Sequence, residues 1–130
     1  MIVNNQIKLN LGCGERYLPG YIHIDINKFD HIDYVMPVDN LEIFDDNTVL
    51  EIYASHVLEY FDVVEIKKVL KEWKRVLVPG GKLRLGVPDF NNLTKVYKKT
   101  EDINDIIGPI IGRWELGDGD VIYHKQIFDE

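Results

Sequence analysis

The sequence predicts an α/β fold, a doubly wound and mainly parallel sheet, and three observations carry that expectation. Short runs rich in β-branched and aromatic residues recur between Ile7 and Val87. A strong amphipathic stripe, from Val63 to Leu77, falls between two of those runs. Glycine, proline or short polar side chains punctuate the runs, where an alternating chain has to change direction. At 130 residues the chain fits one ordinary domain, because two halves would each be too small to bury a sound core.

The first strand is expected at residues 7–11, where apolar and polar residues alternate before Gly12-Cys13-Gly14 turns the chain. A second is expected at 21–25, after the turn dipeptide Pro19-Gly20, and a third at 33–36. The fourth, at 49–55, follows Asp45-Asp46-Asn47. The best-defined helix comes next. Asp62 and Glu65 have the spacing of a capping box, in which each satisfies a backbone amide that the first turn leaves unpaired. Val63, Ile66, Leu70, Trp73 and Leu77 then recur at helical spacing, with Val69 and Val76 widening the stripe. Pro79-Gly80-Gly81 stops that helix, and 82–87 reads as a fifth strand closed by Pro88. Asp89 is expected to cap a further helix carrying Phe90, Leu93 and Tyr97. Beyond Thr100 the pattern is weaker: 103–111 is apolar but interrupted by Gly108-Pro109, and Gly117-Asp118-Gly119 reads as an exposed turn. Strands alternating with helical segments imply a sheet covered on both faces, with a ligand crevice at the carboxyl ends of the strands.

Composition narrows the partners. Charged residues make up 28% of the chain and sum to a formal −7, with no Lys/Arg cluster, so a nucleic-acid backbone is not expected as a partner. The lysines from Lys67 to Lys74 are interleaved with Glu65 and Glu72 on what reads as a solvated helix face. One cysteine, Cys13, excludes an intrachain disulfide and fits a reducing compartment. Residues 1–6 lack the pattern of a secretory signal, and no apolar run approaches the ~20 residues of a membrane helix. The chain reads as cytoplasmic.

The residues just after each strand are the candidates for chemistry. Gly12 and Gly14 would let a ligand lie against the backbone, although a plain turn uses the same residues. The third glycine of a dinucleotide fingerprint falls at Tyr17, so that fingerprint is incomplete. Asp25, at the end of the second strand, is placed to accept hydrogen bonds from a ribose. The connection before it has room for one or two helical turns, which counts against a pyrophosphate ligand. Asp39, Asn40 and Leu41 follow the third strand and are placed to meet an adenine; the alternative is an Asx turn. Ser55 and His56 follow the fourth strand, with Glu59 one helical turn on, whereas His23, His31 and His124 read as structural. No metal-ligand set stands out.

Leu9-Asn10-Leu11-Gly12-Cys13-Gly14 and Pro19-Gly20-Tyr21-Ile22-His23-Ile24-Asp25 resemble the first two motifs of small class I S-adenosylmethionine-dependent methyltransferases. Ile52-Tyr53-Ala54-Ser55-His56-Val57-Leu58-Glu59-Tyr60 resembles the fourth-strand motif of their type 11 group, and Leu77-Val78-Pro79-Gly80-Gly81-Lys82-Leu83 the turn into its fifth strand. The resemblance implies a Rossmann-like core with strand order 3-2-1-4-5 and S-adenosyl-L-methionine as cofactor. It implies a cofactor-binding set of Leu11, Gly12, Cys13 and Gly14 by the methionine part, Asp25 with Ile26 by the ribose, Asp39, Asn40 and Leu41 by the adenine, and Ser55 and His56 by the methyl group. His56 is then the candidate catalytic base for a small-molecule acceptor. A sulfonium leaving group needs no acid, so alignment and desolvation carry most of the catalysis. Two alternatives stay open: a non-catalytic cofactor-binding remnant or interaction module, and a nicotinamide-dependent oxidoreductase.

The chain departs from the group in several places. Glu42-Ile43-Phe44 stands where Leu-Pro-Phe is common, Leu50 where an Asp is frequent and Tyr60 where a His is frequent. Complete members continue through another helix and a terminal antiparallel strand pair, whereas here Tyr123-His124-Lys125-Gln126-Ile127-Phe128-Asp129 resembles only the approach to that helix. The resemblance therefore implies a single domain over residues 1–130 without the usual C-terminal strand pair. Strand five would be left as an edge, open to a homodimer or covered by residues 110–122 folding back.

Overall fold

The computed structural model describes residues 7–129; residues 1–6, where no secretory signal is expected, and Glu130 lie outside the described residues. Five strands form one sheet: β1 (Ile7–Leu11), β2 (Ile22–Asp25), β3 (Tyr34–Val35), β4 (Val49–Ser55) and β5 (Leu77–Gly86). Their order is β3-β2-β1-β4-β5, and every neighbouring pair is parallel. This is the expected order, with the direction of winding reversing between β1 and β4.

Strand alternation divides the sheet into two unlike faces. Leu9 lies beside Ile22 and Ile52, and Leu11 beside Ile24 and Ala54. Leu9, Leu11, Ile24, Ile52 and Ala54 pack with Val69, Trp73 and Val76 of helix α1 (Glu65–Val76) into one buried core. The intervening positions carry Asn10, His23, Glu51 and Tyr53 on the opposite face.

That opposite face corrects one expectation. The connections 12–21, 26–33 and 36–48 contain turns and no helix, so α1 is the only helical crossover among the described residues. These connections are short and broken by Gly, Pro, Asp and Asn, which favour turns over continuous helix. A loop covers part of the polar face instead. Tyr17 stacks on His23 at 5.0 Å between ring centroids, and the Leu18 amide donates to His23 Nε2 at 2.9 Å.

The capping box forms as expected. Asp62 accepts from the Val64 and Glu65 amides at 2.9 and 2.8 Å, and Glu65 accepts from the Asp62 amide at 3.1 Å. The helix itself begins only at Glu65, so Val63 sits in the capping turn, exposed rather than on the buried stripe. Leu77 likewise leaves the stripe, because it is already extended and pairs with Val49 as the first residue of β5. The next pairing is Lys82 with Glu51, so Val78, Pro79, Gly80 and Gly81 bulge out of the strand rather than preceding it.

After β5, Asp89 caps α2 (Phe90–Thr100) by accepting from the Asn91 amide, as expected. A short α3 (Ile107–Ile111) follows, and then a separate antiparallel pair, β6 (Trp114–Glu115) and β7 (Val121–Ile122). This hairpin does not join β5, so residues 110–122 leave β5 as an edge strand, with Leu83 and Leu85 partly exposed. Phe128 makes one parallel bridge to Asp89, and the Phe90 amide donates to the Phe128 carbonyl at 2.7 Å.

Candidate active site

A crevice of about 600 Å³ opens at the carboxyl ends of β1, β2 and β4, at the reversal of strand order. Its floor begins with the loop after β1. Gly12 takes φ 61°, and a Cβ there would come within 2.6 Å of Val57 Cγ2. Gly14 takes φ 56°, and a Cβ there would face the crevice and Trp114. Both positions have a left-handed backbone, for which glycine is the residue without penalty, and Gly12 adds a close approach.

Asp25 ties this loop to β2. One carboxylate oxygen accepts from the Gly14 amide and the other from the Asn27 amide, each at 2.8 Å. Each oxygen keeps a second lone pair for a ligand. Cys13 and Ile26 line the same wall. Burial, then the charge of Asp25, pushes the Cys13 thiol up to about 11, so the thiol stays protonated at neutral pH.

The third wall is formed by Pro37, Val38 and Asp39. Asn40 and Leu41 do not reach it. Asn40 accepts from the Glu42 amide at 3.1 Å in the Asx-turn geometry that was the alternative reading. Leu41 is fully buried in the core, and so is Leu11, whose side chain points with Leu9 towards α1. The crevice residue on β1 is instead Asn10, with Tyr53 beside it on β4. The alternation of the strand places both on that face.

Ser55 and His56 close the β4 side. His56 has φ 59°, a conformation uncommon for a residue with a Cβ. Its amide donates to the Gly86 carbonyl at 2.7 Å, and Nδ1 lies 3.2 Å from Glu59 Oε2. The His56 side chain is 63% exposed, while that of Glu59 is 1% exposed and its Oε1 has no partner among the described residues. Tyr60 and Phe61 continue this wall. Burial, then the charge of Glu59, raises the Tyr60 phenol above its ordinary range.

The roof comes from the β6–β7 hairpin: Trp114, Leu116 and Ile122 line the crevice. Sequence reasoning had no access to it, since the only signal there was the turn at Gly117-Asp118-Gly119.

Residues 23–85, from β2 into β5, match the methyltransferase domain family. That stretch is therefore similar to a methyltransferase domain. The glycine turn at 12–14 precedes the matched stretch, so its place in the site rests on the geometry above. A solved structure described as "DhpI-SAM-HEP complex" has a similar fold, with a TM-score of 0.58 and 14% sequence identity. The similarity covers 98% of this chain and 65% of that one, so the chain spans about two thirds of that structure's length. No curated protein sequence matches the chain.

Proposed function

We propose that this chain is a methyltransferase domain that binds S-adenosylmethionine in the crevice and transfers a methyl group to a small-molecule acceptor. The observation that carries the reading is the Gly14–Asp25 bond at the reversal of strand order. It places a buried carboxylate with free lone pairs beside a left-handed glycine turn, an arrangement suited to a ribose with an arm running over the backbone. Asn10 adds a second sign of fit, because the residue lines the crevice and its buried Nδ2 has no partner among the described residues. Arg16 lines the same end and donates to the Tyr53 hydroxyl at 3.4 Å, leaving guanidinium donors for the carboxylate of an amino-acid arm. Val38 and Pro37 offer apolar surface for an adenine, with Asp39 as its hydrogen-bonding neighbour.

When bound, the cofactor supplies an electrophilic methyl on a sulfonium sulfur that departs as a neutral thioether. The chain's part is therefore to align, to exclude water and to accept a proton. Trp114, Leu116 and Ile122 exclude water from above. His56 Nδ1 is engaged by Glu59, which leaves Nε2 to take the proton of a hydroxyl or amine acceptor.

Calorimetric titration with S-adenosylhomocysteine tests the reading, with NAD as control. We expect micromolar binding, about −8 kcal/mol, that Asp25→Ala weakens by one to two orders of magnitude while the far-ultraviolet spectrum is unchanged. Wild-type protein that binds NAD, or neither ligand, would overturn it.

A further inference from the structure

We propose that Asn27 is a positioning residue that latches the β6–β7 hairpin across the cofactor crevice, keyed to the carboxylate that holds the ribose. The inference rests on the cofactor reading for its ligand, but its geometry stands apart from it.

The hairpin is poorly supported by its own ladder. Trp114 pairs with Ile122 and Glu115 with Val121, and both residues of β6 are exposed. A two-stranded ribbon of this length is marginal in water, so it must be held from outside. Two anchors lie on the β4 side of the crevice. The Tyr60 hydroxyl donates to the Gly112 carbonyl at 3.0 Å, and the Lys125 amide to the Glu59 carbonyl at 2.6 Å. These hold the two ends of the segment that contains the hairpin.

Asn27 supplies the anchor on the opposite, β2 side. Its Oδ1 accepts from the Gly117 amide at 2.7 Å, and its Nδ2 donates to the Glu115 carbonyl at 3.4 Å. Its backbone amide donates to Asp25 Oδ1 at 2.8 Å. Asn27 is buried, and these three bonds use its amide and both ends of its carboxamide. One residue therefore joins the floor carboxylate to the hairpin tip, spanning the mouth in concert with Tyr60 and Glu59. Serine would be too short to reach both hairpin groups, and aspartate would keep the acceptor but lose the donor. A ligand that engages Asp25 fixes the stretch from which Asn27 reaches the roof. The same bonds that hold the ribose side thus set where Trp114 lies.

The chain carries its own reporter. It has two tryptophans, of which Trp73 is fully buried in the core and Trp114 is 41% exposed in the roof. Acrylamide quenching of tryptophan fluorescence therefore reads the roof almost alone, and Trp114→Phe confirms the assignment. We expect S-adenosylhomocysteine to reduce the quenching of Trp114 severalfold in the wild type. In Asn27→Ala, Trp114 should be more readily quenched without ligand and remain so at saturation, with affinity lower by roughly tenfold, as befits two lost hydrogen bonds. Asn27→Asp, which keeps the acceptor for Gly117, should fall between the two and guards against a variant that fails to fold. Native affinity and native shielding in a folded Asn27→Ala would overturn the latch. If the wild type binds no S-adenosylhomocysteine, yet Asn27→Ala alone exposes Trp114, the cofactor reading fails and the latch stands.

Discussion

His56 sits at a left-handed backbone position, where a side chain is held at a cost of about 1–3 kcal/mol that the surroundings must offset. The Gly86 carbonyl and Glu59 supply that offset from two sides, by way of the amide and Nδ1. A buried carboxylate whose one side-chain partner among the described residues is a solvent-facing imidazole is placed to orient that ring rather than to stabilise the core. Replacing His56 by Ala should leave S-adenosylhomocysteine affinity within a factor of about three and lower turnover of a hydroxyl or amine acceptor by ~10²–10⁴. Full turnover in His56→Ala would remove it from the role of base. At this scale the sequence was readable where a residue follows directly on a strand end: Gly12, Gly14, Asp25, Ser55 and His56 all line or frame the crevice. Leu11 faces the core instead, because strand parity decides which neighbour faces the crevice, and Asn10 has that parity. Asn40 and Leu41 went elsewhere because a local Asx bond and a core position each outcompete a distant ligand.

The elements show what holds the sheet where helices are missing. The third connection is clamped to α1 by the Arg75, Glu72 and Trp73 side chains. Arg75 donates to the Leu41 carbonyl at 3.1 Å, to the Phe44 carbonyl at 3.0 Å and to Asp46 at 2.7 Å, while Glu72 accepts from the Leu41 amide at 2.8 Å. Arg75→Ala strands two carbonyls and should cost about 2 kcal/mol in urea unfolding at neutral pH. Hydrogen bonding from the Arg75 guanidinium holds the Glu72 carboxyl below its ordinary value near 4.5, helped by the Leu41 amide and opposed by burial. A carboxyl lowered in the fold contributes stability above its ordinary value and loses it as pH falls through the lowered one. The gap between wild type and Arg75→Ala should therefore narrow from pH 7 to pH 3, and a gap independent of pH would show that Glu72 is not part of the clamp. The strands and α1 were legible because alternation and the 3.6-residue period are imposed by burial on the α1 face. The missing crossover helices were not, since connections of eight to thirteen residues admit either a short helix or successive turns. The hairpin roof carries only two paired positions on each strand, too few for alternation to register.

For the whole molecule, the crevice is assembled from stretches that have little else in common. The loop after β1, the end of β2, the turn at Pro37–Asp39, the end of β4 and the distant hairpin each contribute a wall. The first four are fixed by the parallel sheet, while the hairpin is fixed by Tyr60, the Glu59 carbonyl and Asn27. A ligand that touches all of these binds the native state and not the unfolded chain, so it should raise the stability of the entire fold by mass action. At about 100 times its Kd the increment is about 2.7 kcal/mol, which for a domain of this size corresponds to a rise in Tm of roughly 8–12 °C. Differential scanning calorimetry with S-adenosylhomocysteine at that excess should show one transition displaced upward as a unit, with NAD leaving it in place. A smaller displacement at proven saturation, or a second transition at lower temperature, would mean that the hairpin melts apart from the sheet. The anchors at Asn27 and Tyr60 argue for the single transition, because each joins the hairpin to a residue within or next to the elements that build the core.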